Sequence, residues 1–151
     1  MMATEGVVRA LRAAHLHDAN RQTLLQMACD RIRSWGSPYT SVYAYMLHDG
    51  ELVLEAHAGR DTEHVRIPVG AGVCGTAVAE KADQNVPDVT AVGGGNYLAC
   101  NAFTKSELVV LIRRGDHILG QIDIDSDVPA GFGEKEYAEV KEIADALAVL
   151  L

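Results

Sequence analysis

The chain has 151 residues, 48% hydrophobic and 23% charged, with 13 Lys and Arg against 21 Asp and Glu for a formal charge of −8. That length suits one domain spanning 1–151, able to bury roughly two-thirds of its unfolded surface. The negative charge repels phosphate backbones and anionic headgroups, so neither nucleic acid nor a membrane surface is expected as a partner. No apolar run could span a bilayer, and Met1-Met2-Ala3-Thr4-Glu5 lacks the basic start and apolar block of a secretory leader, so a cytoplasmic location is expected. Three cysteines, Cys29, Cys74 and Cys100, are too few and odd in number for a secreted disulfide framework. In a reducing compartment such thiols are more often catalytic or metal-binding.

From Glu5 to Trp35 apolar residues recur at helical spacing, with Asp18 and Asn20 dividing the stretch into two helices. Cys29 lies beside the second apolar stripe and reads as a small buried hydrophobe. Ser34 to Pro38 stops the helix. Thr40 to Leu47 and Leu52 to Ala58 read as strands joined by a tight turn at Asp49-Gly50. A short strand, Val65 to Val69, enters the glycine turn Gly70-Ala71-Gly72-Val73-Cys74-Gly75, and a helix follows over Val73 to Lys81. Gln84 to Asp88 and Gly93 to Gly95 read as a long connection. Leu108 to Arg113 and Ile118 to Ile124 form a second hairpin, and Glu134 to Leu151 carries a helical apolar stripe. Helices, strands, a connection with a helix, strands and a last helix make an α+β domain with helices packed on an antiparallel sheet.

Chemistry-bearing residues concentrate between Gly70 and Ser126. On the last strand Gln121, Asp123 and Asp125 share one face while Ile122 and Ile124 point the other way, so one face is acidic. A solvated edge strand is the plain alternative for the two aspartates, as helix-start packing is for Cys74 and a core thiol is for Cys100. The six histidines show no ligand spacing, so no metal site is expected. Lys105 reads as a surface charge or as an offset to the acids.

Gly70 to Ala77, Asp88-Val89, Leu98-Ala99-Cys100, Ser106 to Val110 and Gly120 to Ser126, in that order and with similar gaps, resemble the free methionine-(R)-sulfoxide reductases, which are small single GAF domains. The resemblance implies a central antiparallel sheet of about six strands, a cytoplasmic enzyme, often a homodimer, and no bound cofactor. It also implies Cys100 as nucleophile, with thioredoxin as the external reductant of the resulting disulfide. The chemistry agrees: a sulfoxide sulfur is attacked by a thiolate while its oxygen takes up a proton. Cys100 and Glu107 are the candidates for those roles, and Cys74 is the thiol available to condense with the sulfenic acid.

Crowding of Glu107, Asp123 and Asp125 would keep a proton on one carboxyl. It would also weaken the thiolate until a cationic amine enters, which favours a free amino acid over a peptide. Backbone amides near Gly72 and Val73 could hold the substrate carboxylate. The sequence departs from the family pattern in four places. It lacks a third cysteine over Thr62-Glu63-His64-Val65, and Tyr39 stands where a pocket Trp is usual. Asn101 replaces an Asp, and Asn96-Tyr97 replaces Gly-His. A GAF domain could instead sense a nucleotide or amino acid without turnover, or serve as an interaction module.

Overall fold

The structure is a computed structural model and describes residues 2–91 and 103–151. Helix α1 spans Met2–Leu16 and α2 spans Arg21–Ser34; strands β1 and β2 are Ser41–His48 and Glu51–Ala58. Then come β3 (Arg66–Pro68), α3 (Gly72–Glu80), β4 (Gln84–Val86), β5 (Ser106–Arg114), β6 (His117–Ser126) and α4 (Glu134–Leu150). The break between α1 and α2 falls where the sequence places it. Asp18 takes a left-handed φ of 63°, and the Asn20 side chain caps α2 by accepting from the Thr23 amide at 2.9 Å. Glu136 accepts from the Gly133 amide at 2.8 Å and so starts α4.

The six strands of the described residues join one antiparallel sheet in the order β3-β2-β1-β6-β5-β4. Adjacent in sequence but polar, Gln84 to Asp88 is a correction to the reading of that segment as loose connection. Gln84, Asn85 and Val86 pair with Val109, Leu108 and Glu107. A three-residue polar strand is what a sheet edge tolerates, because its outer side meets water. Val89–Ala91 then forms a single 3₁₀ turn.

Two apolar layers sandwich the sheet. On one face α1, α2 and α4 pack through Leu11, Leu25, Ile32, Ile143 and Leu147 onto Val42, Leu108, Val110, Ile122 and Ile124. On the other, α3 brings Val73, Cys74, Ala77 and Val78 against Tyr43, Tyr45, Val109 and Leu111. Strand alternation divides β6 between the layers: Ile122 and Ile124 serve the three-helix side and the residues between them face α3. Burying β6 between β1 and β5 leaves little room at its crossing with β1. A Cβ on Gly120 would stand 2.3 Å from the Tyr45 carbonyl oxygen and 2.9 Å from the Met46 Cα. Gly120→Ala is therefore expected to cost about 3 kcal/mol or more, since backbone on both strands must give way. Chemical denaturation of the two proteins checks this, and an unchanged midpoint would contradict the packing.

Candidate functional site

The turn into α3 is built to hold one thiol against the sheet. Gly70 and Gly72 have φ of +94° and +64°, values that L side chains resist. Gly75 sits so close to the incoming chain that a Cβ would meet the Pro68 carbonyl oxygen at 2.4 Å. The Gly70 amide donates to the Gly75 carbonyl at 2.8 Å, which closes the turn. No side chain caps the start of α3 at Ala71. Cys74, in the first turn, is thereby pressed onto the strands, and its Sγ lies 3.8 Å from Glu107 Oε2.

Beneath it, register brings the acids together from different strands. Asp125 pairs with Glu107 of β5 and Ser41 of β1, and Asp123 pairs with Val109 and Tyr43. Glu107, Asp123 and Asp125 are respectively 2%, 0% and 1% exposed, so the solvated edge-strand alternative for the aspartates is overturned. The reason is topological: β6 lies inside the sheet, not at its rim. Among the described residues no ion pair reaches Glu107 or Asp123. Burial pushes the Glu107 carboxyl well above its ordinary range, and the neighbouring Asp123 and Asp125 charges push it further. Burial also raises Asp123, while hydrogen bonding to Glu107 and Cys74 opposes the rise. Desolvation, more than the like-charge crowding read from sequence, is what raises Glu107 and Asp123.

One donor atom from each of Cys74, Glu107 and Asp123 lies within 4.8 Å of the others. A thiol and two carboxyls at that spacing could share protons or chelate a cation, a possibility that histidine spacing does not address. Around the cluster, the Tyr43 and Tyr45 hydroxyls donate to the carbonyls of Arg60 and His64 at 2.7 Å. Arg60 grips Asp127 through two bonds of 2.7 and 2.6 Å and stacks 5.2 Å over the Phe103 ring. The loop after β2 is thus tied to the end of β6, beside the acids. Alternation over Ser41 to His48 could have flagged both tyrosines, but only the pairing with β6 shows which face they share.

Two sequence-predicted site residues have other fates. Tyr39 does not join the cluster: it packs in the three-helix layer, 5.3 Å from the Trp35 ring and 6.0 Å from Phe132. Its ring follows the apolar end of α2, which corrects its reading as a pocket residue. Cys100 lies outside the described residues, as do Gly93 to Gly95, Asn96-Tyr97 and Asn101. Cys29 is 1% exposed, and burial raises its thiol to about 12, so it stays protonated and inert. Grooves of about 540 and 390 Å³ lie between α1 and α4 and beside β4; neither contains Cys74 or the acids.

This layout has known counterparts, and a sequence model of the GAF domain matches residues 18–151. The chain belongs to the GAF domain family. The structure of a type II free methionine-R-sulfoxide reductase from Thermoplasma acidophilum superposes on this GAF domain with a TM-score of 0.81 at 38% identity, covering 86% of this chain and 91% of the other. That of the Neisseria meningitidis free methionine-R-sulfoxide reductase in complex with its substrate gives 0.85 at 26% identity, covering 97% and 87%. In sequence, the Escherichia coli free methionine-R-sulfoxide reductase is 38% identical over 107 residues, 71% of this chain and 63% of that protein. The aligned part of this GAF domain thus spans under two-thirds of that curated relative's length. Among the described residues, no helix is long and apolar enough to cross a membrane.

Proposed function

We propose that this GAF domain reduces free methionine-(R)-sulfoxide to methionine, with Cys100 as nucleophile, Cys74 as resolving thiol and thioredoxin as external reductant. The observation that carries the reading is the Cys74 thiol 3.8 Å from a Glu107 carboxyl that burial and the neighbouring Asp123 and Asp125 charges push well above its ordinary range. Similarity to the reductases of Escherichia coli and Thermoplasma acidophilum supports it.

In this reading the Cys100 thiolate attacks the sulfoxide sulfur as Glu107 delivers a proton to the oxygen. Oxygen passes to Cys100 as a sulfenic acid and methionine leaves. The Cys74 thiol then displaces water from that sulfenic acid to give a disulfide, and thioredoxin returns two electrons. Asp123 and Asp125 bind the substrate ammonium, and the uncapped amides at Gly72 and Val73 take its carboxylate. No bound cofactor is needed, because the thiols carry both electrons. A homodimer in the cytoplasm belongs to the same proposal, and sedimentation at assay concentration tests the dimer.

Incubation with free methionine-(R)-sulfoxide, thioredoxin and its reductase is expected to consume reductant, and Cys100→Ser to reduce consumption to background. Little consumption is expected with a peptide-bound sulfoxide. Binding of the free sulfoxide without consumption would instead favour a sensor of small molecules.

A further inference from the structure

Gln121 is fully buried, and among the described residues neither its Nε2 nor its Oε1 has a hydrogen-bond partner. A buried primary amide left unpaired is a standing cost that an apolar residue of the same volume avoids. Its position on β6 is two residues from Asp123 and four from Asp125, so all three share the α3-facing side of the sheet. Successive side chains on that face stand about 7 Å apart, within reach of one small molecule. Gln121 lies across from Tyr45 on β1 and Leu111 on β5, both in the layer that contains Cys74. Its partners on both sides are a phenol ring and an aliphatic chain, and the Tyr45 hydroxyl is committed to the His64 carbonyl. A neighbouring carboxyl can donate to a negatively polarised oxygen only while it holds a proton, and once ionised it repels that oxygen. Gln121 supplies there a neutral N–H donor with an acceptor beside it.

We propose that the Gln121 amide is a ligand-recognition group on the α3-facing side of the sheet, its Nε2 donating to a charged or strongly polarised oxygen of a small zwitterion and its Oε1 accepting from an N–H. The inference rests on the functional reading above in taking free methionine sulfoxide as the ligand. The oxygen is either the sulfoxide's or the carboxylate's, and both offer Nε2 the same acceptor chemistry. Removing the amide trades ligand affinity for fold stability, two effects of opposite sign that a purely structural glutamine would not produce together.

The test is calorimetric titration of Cys100→Ser, which cannot turn the ligand over, and of Gln121→Leu and Gln121→Met in that background, with free methionine-(R)-sulfoxide and with methionine, alongside thermal melts. Both variants are expected to bind the sulfoxide about tenfold or more weakly and to melt about 3 °C higher. If the affinity loss is confined to the sulfoxide, Nε2 addresses the sulfoxide oxygen; an equal loss for methionine assigns it to the carboxylate. Binding by the Cys100→Ser parent with unchanged affinity in whichever variant folds overturns the role of Gln121 and leaves the functional reading standing. No binding of either ligand to the Cys100→Ser parent, together with no turnover by the wild type, overturns both.

Discussion

Glu107→Gln is expected to lower turnover of free methionine sulfoxide by about a hundredfold or more and, at the same time, to stabilise the ligand-free protein at alkaline pH. The first effect follows from removing the proton that must reach the leaving oxygen. For the second, burial and the Asp123 and Asp125 charges hold the folded-state carboxyl well above the 4.5 that an exposed glutamate shows. The native chain therefore retains a proton that the unfolded chain has released once pH exceeds the ordinary carboxylate range. Where the native state binds more protons, stability falls as pH rises, and it continues to fall up to the raised folded-state value. Below pH 4.5 both states are protonated and glutamine offers little advantage. Melting temperatures of the two proteins should consequently converge near pH 4 and separate progressively toward pH 8. Asp123, raised by the same burial, should give a difference of the same sign in Asp123→Asn. A gap that stays constant with pH would mean that Glu107 ionises normally in the fold. Full turnover in Glu107→Gln would remove it from the chemistry.

Cys74→Ser should separate the chemical step from recycling. With the nucleophile intact, one equivalent of methionine is expected per protein within the first turnover, followed by a collapse of the thioredoxin-dependent rate toward background. Single-turnover quenching measures the first quantity and reductant consumption the second. Peptide mapping after one turnover should give a Cys74 to Cys100 disulfide in the wild type and a sulfenic acid or mixed disulfide in the variant. A linkage to Cys29 is not expected, because that sulfur lies in the three-helix layer with its proton held by burial. Undiminished steady-state turnover in Cys74→Ser would assign resolution to another thiol.

Much of this architecture could be read along the chain. Helical periodicity placed α1, α2 and α4 to within a few residues, and Asp49-Gly50 marked the first hairpin. The two-residue repeat of β6 put Asp123 and Asp125 on one face, which the two-layer core confirms. Local spacing carries such information because the periods of 3.6 and 2 act between residues a few positions apart. Cross-strand partners, by contrast, are chosen by the whole sheet. Nothing near Gln84 to Val86 announces a strand until β5 offers it unpaired backbone groups, and nothing near Tyr39 says that its ring will turn toward Phe132.

For the site, residue types and order set the cast: two thiols, a glycine turn and three carboxyls in a fixed succession. Tertiary structure alone decided that Glu107 and Asp125 would be register partners and that Cys74 would lie against Glu107. It also placed β6 in the interior, and that turned ordinary surface-type acids into proton-holding groups. The physical reason is that a carboxyl's affinity for its proton depends on the water and charges around it, and those are fixed only when distant segments close over the same spot.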